Sequence, residues 1–384
     1  MEKGNHLYHL LDRWVGIPVV FSLGLLRRKN HTHPVSIRRI AVLNLGSIGD
    51  NVLMSAVMAD LRSQYPQAKI TVFAGGTNYS LVQLIEGVDF VIRVPVTKPT
   101  KARRLIRDTG SFDVLFDFGP WPRLNAIYSS FVNASFRAGF KSPQQLRHFV
   151  YDLKVPHSSE LHEIDNYRNL IRSFYTGTSH QPTLIVPANE EIDAAIAKFG
   201  SYCIIHPWPG GYKSHMKQWA NERWAALMRA IESQFDCLVV TGGPSDIAEA
   251  RELHRLLQQS PVCGTVVNVA GTYSLAQTVR LIQKAKLVIS INTGISHIAA
   301  ALQKPQVCIQ GPTNAKRWAP YSTSTIVVTP STGTFGYLNY GFEYHRAKEN
   351  CMDNISVQDT LIAIEKLMGS LTASCKLIDT DETA

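Results

Sequence analysis

The sequence predicts an α/β protein of two doubly wound domains in series, and three observations carry that prediction. The chain has 384 residues, more than one ordinary domain and enough for two. Short apolar runs that end in glycine or polar turns alternate with helix-spaced segments, which implies parallel sheets covered on both faces. The alternation runs once through the first half, lapses, and restarts after a stretch that holds Pro182 and Pro187.

Taken in order, residues 40–45 read as the first strand and 50–64 as a helix. Strands follow at 69–74, 90–94 and 114–118, with helical stretches between them. Residues 146–190 are less regular, hold a helical piece near 163–174, and contain the expected linker at 181–189. In the second half, strands are expected at 202–206, 237–241, 266–269, 287–290 and 306–309. Helices are expected at 222–234, 245–258, 274–284 and 295–302, with a last one at 357–368. The expected division is an amphipathic segment over 1–36, one domain over 37–185 and a second over 186–384. Open α/β sheets bind their ligands at the carboxyl ends of the strands.

Hydrophobic residues make up 45% and charged residues 18%, the balance of a globular protein that buries a core. A formal net charge of +9 points to an anionic partner: a phosphorylated substrate, a membrane face or nucleic acid. No RNA-recognition, zinc-finger or helix-turn-helix signature occurs, so no nucleic acid is expected. Cys203, Cys237, Cys263, Cys308, Cys351 and Cys375 form no CxxC pair, which suits a reducing cytoplasm and gives no zinc site. Cys203, Cys237 and Cys308 sit in apolar runs, where a cysteine behaves as a small buried hydrophobe.

Residues 7–26 read LYHLLDRWVGIPVVFSLGLL and precede Arg27, Arg28 and Lys29. The uninterrupted apolar part is shorter than the ~20 residues of a spanning helix. No small-residue cleavage site follows it. An interfacial anchor fits, with Trp14, Phe21 and the leucines at the lipid boundary and the basic cluster against anionic headgroups. The alternative is a helix packed on the protein's own surface. The expected location is therefore cytoplasmic, peripheral on the inner face of the cytoplasmic membrane.

Five loops carry the chemistry. The first, LGSIGDN at 45–51, follows the first strand. Gly46 and Gly49 permit a tight turn and a close approach, with Ser47 and Asn51 beside them. The spacing is GxxG, not the GxGxxG dinucleotide fingerprint. Asp50 at the helix start serves either as a cap or as a general base. The second loop, HPWPGG at 206–211, runs on to Lys213, Ser214 and Lys217, and wraps phosphate if its lysines are not merely solvated. Trp219 beyond it reads as a packing residue.

The third, TGGPSD at 241–246, leaves room at Thr241, Gly242 and Gly243 for a ribose or base. Asp246 either accepts from a hydroxyl or caps the next helix, as Ser245 also can. The fourth, SINTGISH at 290–297, offers Asn292 or Thr293 as cap, Gly294 at the turn and a helix start suited to phosphate. His297 there is either a phosphate or sugar donor or a buried core histidine. The fifth, Gly311, Pro312 and Thr313, lines the same sheet edge. Loops two to five converging on one edge is how an open α/β domain builds a nucleotide site.

Together these segments resemble glycosyltransferase family 9, the ADP-heptose:lipopolysaccharide heptosyltransferase family. The resemblance runs from Arg39 to Met368 and rests on AVLNLGSIGD at 41–50, YPQAKI at 65–70, KQW at 217–219, TGG at 241–243, Asn292, Thr293, Gly294 and His297, and GPT at 311–313. Arg317 with Trp318, and Cys351 with Met352, extend it. The resemblance implies the GT-B fold, two Rossmann-like domains facing a central cleft, with an N-terminal acceptor domain and a C-terminal nucleotide-sugar domain. It implies an inverting transfer with no cofactor and no essential metal. The partners it implies are a nucleotide-diphosphate sugar, ADP-heptose foremost, and an anionic glycolipid or glycan acceptor of the cell envelope. Asp50 matches the family's catalytic base and Lys217 the lysine that neutralises the donor diphosphate. Thr293, Gly294 and His297 match the donor-binding turn, and Asp246 loosely matches a ribose contact. Many members carry Asp where this chain has Asn292, whose amide brings no charge.

Lys98, Lys101, Arg103, Arg104 and Arg123 could meet an anionic acceptor or belong to an ordinary solvated face. Two rival readings share the scaffold: a nucleotide-sugar 2-epimerase, and a non-catalytic nucleotide- or glycan-binding protein.

Overall fold

The computed structural model describes residues 11–119, 123–142, 145–211, 213–259, 264–339 and 350–381, the last eleven by backbone only. Residues 7–10, Cys263 and the side chain of Cys375 lie outside that description. Contacts divide the chain into two compact units that change over between Ile185 and Val186, with Lys316–Trp318 and Asn339 grouped with the first.

The first unit holds a six-stranded, wholly parallel sheet in the order β3-β2-β1-β4-β5-β6. Its strands are β1 (Arg39–Asn44), β2 (Lys69–Ala74), β3 (Phe90–Arg93), β4 (Ser111–Asp117), β5 (Asn133–Lys141) and β6 (Leu153–Pro156). β1 is central: Asn44 pairs with Ala74 on one side, and Leu43 with Asp117 on the other. All but the first residue of β1 is buried, as both-face coverage requires.

Four helices of this unit matter below. A helix, α1 (Gly16–Leu26), precedes the sheet. α2 (Ile48–Gln64) leaves β1. α5 (Arg123–Phe131) leaves β4; between α2 and α5 run the short α3 (Tyr79–Val82) and α4 (Pro99–Arg107). α6 (Glu163–Ile171) follows β6 and packs on α2.

The second unit repeats the plan, also wholly parallel, in the order β12-β11-β10-β7-β8-β9. Its strands are β7 (Tyr202–His206), β8 (Cys237–Val240), β9 (Thr265–Asn268), β10 (Leu287–Ile291), β11 (Gln306–Ile309) and β12 (Thr325–Val328). Its helices begin with α7 (Glu190–Ala197), α8 (Asn221–Ile231), α9 (Ile247–Gln259) and α10 (Leu275–Lys284). They continue with α11 (Gly294–Ala301) and α13 (Val357–Asp381), while the short α12 (Ala315–Trp318) between them groups with the first unit from Lys316 on. α13 closes this core through Ala363, Ile364 and Leu367. Cys203, Cys237, Cys308 and Cys351 are free and buried.

Both sheets thus carry the doubly wound order expected of the sequence, with one switch point each, between β1 and β4 and between β7 and β10. Three strands escape the sequence pattern. β5 is interrupted by Arg137 and Gly139, yet Arg137 is buried because its guanidinium donates to the Ser129 and Val132 carbonyls. A Cβ on Gly139 would stand 2.4 Å from the ring of Tyr151, so that glycine admits the tyrosine. β6 and β12 are four-residue strands at the edges of their sheets.

Candidate active site

At the carboxyl end of β1, the chain turns through Leu45 and Gly46 and enters α2 at Ile48. Ser47, not Asp50, is the N-cap: its hydroxyl accepts the Asp50 N–H at 3.4 Å. Asp50 sits three residues in, and its Oδ2 accepts the Ser47 N–H at 2.6 Å, completing a capping box. The helix therefore begins two residues earlier than the sequence pattern places it. A Cβ on Gly46 would lie 2.5 Å from Asp50 Oδ2 and 2.7 Å from Asn44 Oδ1, so only glycine lets the turn fold over the carboxylate. Gly49 is buried in the first turn, and Asn51 donates its amide to the Ser47 carbonyl at 2.8 Å.

Asp50 is 8% exposed, at the first unit's switch point. Tyr167 of α6 is fully buried near it. Burial first, then the Asp50 and Glu163 carboxylates, raise the Tyr167 phenol well above its ordinary range, so it stays protonated.

The end of β4, on the other side of the same switch point, and segments further along the chain hold residues that the sequence did not single out. Asp117 is wholly buried; it accepts from Arg147 at 2.9 Å, from the Tyr151 hydroxyl at 2.6 Å and from the Gly119 N–H at 3.0 Å. Burial raises the Asp117 carboxyl, and Arg147 and Tyr151 offset part of that rise. A second buried network joins His157, Glu163 and Arg317. Glu163 accepts from Arg317 at 2.8 Å and meets His157 Nε2 at 3.0 Å. Burial raises Glu163, but His157 and Arg317 outweigh it and bring the carboxyl down to about 2. A polar residue at a strand end was the available signal for Asp117. Arg147 carries none, because its partner stands 30 positions away; Arg317 stands with Trp318 in the family resemblance, but nothing local marks its partner Glu163, 154 positions away. Arg123 is buried against Asp12 at 2.9 Å and the Gln145 carbonyl at 2.8 Å, so it braces the fold rather than facing solvent.

In the second unit, β11, β10, β7 and β8 are consecutive neighbours and parallel. Their four outgoing loops, which hold motifs two to five, therefore leave one sheet edge side by side. After β7, buried His206 pairs through Nδ1 with the Thr241 hydroxyl at 3.0 Å, and burial lowers its imidazole to about 4. Gly210 and Gly211 have open space where a side chain would stand, and Gly211 needs its positive φ of 87°. A short 3-10 turn, Ser214–Lys217, then brings Lys217 to 9% exposure. Trp219 is a packing residue: it meets Trp224 edge-on at 5.0 Å and donates to the Ile355 carbonyl at 2.9 Å.

After β8, a Cβ on Gly242 would crowd Asp246 at 3.0 Å and Trp208 at 3.1 Å, while Gly243 is more open. Asp246 is held locally: Oδ2 accepts the Gly243 N–H at 2.7 Å and Oδ1 the Ser245 hydroxyl at 3.1 Å. After β10, Thr293 is the cap of α11, its hydroxyl accepting the Ile295 N–H at 3.2 Å. Gly294 opens that helix and His297 is buried in its first turn. Asn292 donates to Gln310 at 3.3 Å, tying the loop after β10 to the loop after β11. Gly311 is tightly packed, since a Cβ would stand 2.4 Å from Met352 Sδ. The Pro312 carbonyl accepts from Leu338 N–H at 2.6 Å, and buried Thr313 bridges to Leu338.

The first edge thus presents a fixed carboxylate, and the second a lysine, a helix start and glycine-opened backbone suited to a diphosphate. Among the described residues, no group of three or more His, Cys, Asp or Glu could hold a metal ion. No described helix is long and apolar enough to cross a membrane.

The chain is similar to several known proteins. The model of glycosyltransferase family 9 (heptosyltransferase) matches residues 124–335. Lipopolysaccharide heptosyltransferase 3 of Escherichia coli strain K12 is 28% identical over 202 residues, 52% of this chain and 56% of that relative, so the match spans about half its length. Lipooligosaccharide heptosyltransferase 2 of Haemophilus ducreyi is 23% identical over 315 residues, 76% of this chain and 88% of that one. The solved structure of E. coli ADP-heptose lipopolysaccharide heptosyltransferase II superposes with a TM-score of 0.69 at 19% identity, over 87% of this chain and 99% of that one. At that identity the likeness is one of fold, the GT-B class.

Proposed function

The chain belongs to glycosyltransferase family 9, and we propose from that premise that it is an inverting, metal-independent glycosyltransferase. It moves a heptose or a related sugar from a nucleotide-diphosphate donor, ADP-heptose foremost, to lipopolysaccharide core or another envelope glycan. The reaction takes place at the cytoplasmic face of the membrane, where a lipid-linked acceptor is held. The observation that carries this reading is the second sheet's edge, where Lys217, the start of α11 and the Thr241–Gly243 turn leave neighbouring strands.

In this mechanism Asp50 takes the proton of an acceptor hydroxyl as that oxygen attacks the anomeric carbon from the face opposite the leaving group. The bond from the anomeric carbon to the diphosphate oxygen breaks, and the diphosphate keeps the electron pair. Lys217 and the N–H groups at the start of α11 stabilise the charge that grows there. Thr241, Gly242 and Gly243 leave room for the nucleoside, and Asn292 offers a neutral hydrogen bond to a sugar hydroxyl.

The test is a thermal-shift series with ADP, UDP and GDP, followed by incubation of the sugar donor with and without a lipopolysaccharide-core acceptor. A ligand that binds only the folded state raises its apparent stability. The expected result is stabilisation by ADP above the others, and release of ADP that depends on the acceptor. Sugar isomerised from donor alone would replace this reading with an epimerase. No turnover beside nucleotide binding would replace it with a binding protein.

A further inference from the structure

The helical segment before the first sheet has two unlike faces. Helical hydrogen bonding is continuous from Leu11, through Val15, into α1. One face is clamped to the first unit. Val20 is wholly buried with Ala126, Val150 and Tyr151. A Cβ on Gly24 would stand 2.7 Å from the Phe149 carbonyl, so the helix lies directly on that backbone. Both ends are bolted by ion pairs. Asp12 holds Arg123 at 2.9 Å and also accepts the Leu124 N–H, capping α5 from outside. Arg27 grips Asp152 with two bonds, at 2.9 and 2.6 Å.

The other face is exposed among the described residues, with Phe21 also meeting Phe149 edge-on at 5.2 Å. Leu11, Trp14, Val15, Phe21, Leu25 and Leu26 are 46%, 72%, 54%, 46%, 71% and 86% exposed. Their spacing of three, four and seven residues keeps them on one stripe. At 11 residues α1 is about 16 Å long, roughly half a bilayer core. The C-terminal end of the stripe meets a cation cluster. Lys29, Lys141 and Lys154 crowd one another: burial first, then Lys29 and Lys141, lower the Lys154 ammonium. His148 is lowered by burial and then by the same three lysines. The nearby carboxylate, Asp152, is engaged by Arg27.

We propose that this outward stripe, with Lys29, Lys141 and Lys154 at its end, is a preassembled seat for an anionic phospholipid bilayer. The apolar side chains enter the acyl boundary and the ammonium groups meet lipid phosphates. Because the helix is clamped before it meets lipid, binding fixes the attitude of the first unit, and with it the edge bearing Asp50, on the membrane. α1 runs beside α5, so its first residues lie where α5 leaves that same edge. The catalytic consequence, but not the seat itself, rests on the acceptor being lipid-linked as proposed above.

The experiment measures co-sedimentation of the full chain with phosphatidylcholine vesicles, with and without phosphatidylglycerol, and transfer to a lipid-linked and a water-soluble acceptor. The wild type should bind the anionic vesicles. Replacing Lys29, Lys141 and Lys154 by Gln should weaken that partition on the order of a hundredfold, at about fivefold per lysine. Trp14→Ser with Leu25→Ser and Leu26→Ser should abolish it, with transfer to the soluble acceptor unchanged. Arg27→Gln keeps every lipid-facing residue, so it should keep vesicle binding but lose transfer to the lipid-linked acceptor. No vesicle binding by the wild type, equal binding to both vesicle types, or a stripe that instead holds a second copy of the chain would each overturn the seat. Vesicle binding as expected with no sugar transfer at all would leave the seat standing and remove the enzymatic reading.

Discussion

The Asp50 carboxylate and the Ser47 backbone are joined twice: Oδ2 accepts the Ser47 N–H at 2.6 Å, and the Ser47 hydroxyl accepts the Asp50 N–H at 3.4 Å. The residue proposed as base is therefore held by the turn that precedes it, with Gly46 too close to admit any side chain. The capping box engages the carboxylate through Oδ2.

Asp50→Asn tests that division. The amide oxygen can still accept the Ser47 N–H, so the helix start should survive. The basicity is lost. The turnover number should drop about 10²–10⁴-fold, the usual worth of a general base. The thermal shift given by ADP should not change. Turnover near wild type on donor and acceptor together would remove Asp50 from the chemistry.

Lys217→Ala tests the other edge. A charge-assisted hydrogen bond to a phosphate is worth about 1.5–3 kcal/mol, so donor affinity should weaken roughly 10–100-fold. Acceptor KM should stay where it was. Isothermal titration with ADP gives the first number and steady-state kinetics the second; unchanged ADP binding would place the lysine outside the donor site.

The reach of the sequence follows from the range of the interactions. Strands β1, β2, β7, β8 and β10 are apolar runs closed by small or polar residues, and a local pattern suffices to find them. The capping motifs SIGD and TGIS are local too, although hydrogen-bond geometry was needed to show that Ser47 and Thr293 are the caps. β5 was lost because buried Arg137 breaks its apolar run, and its compensation comes from carbonyls outside the strand. The Asp117–Arg147–Tyr151 and His157–Glu163–Arg317 networks were invisible for the same reason. Their partners meet only once the chain has folded.

Gly311 gives a packing prediction. A Cβ there would stand 2.4 Å from Met352 Sδ and 3.0 Å from Cys351 Sγ, both buried. Gly311→Ala should therefore cost about 1–3 kcal/mol, the range for overpacking a core. Met352→Ala alone leaves a cavity and should cost about 2–5 kcal/mol. The double variant should lose less than the two singles combined, because the new methyl enters the space vacated. Strict additivity in urea unfolding would show that the two residues do not share that space.

His206 makes the stability of the second unit depend on pH. Burial lowers its imidazole from 6.5 to about 4, with the Thr241 contact too weak to restore it. The unfolded chain takes up this proton near pH 6.5, while the folded chain refuses it until about pH 4. Acidification across that window therefore favours the unfolded state, and above it the group contributes no slope. That displacement corresponds to about 3 kcal/mol lost by the lower end. His157, lowered by burial first, acts in the same direction. Glu163, brought down to about 2, adds its loss only below the ordinary range of a glutamate. His206→Gln keeps a polar partner for Thr241 and removes the titration. Urea unfolding followed through the window should show a shallower fall for the variant than for the wild type. Parallel falls would mean that His206 is charged in the folded protein, contrary to its burial.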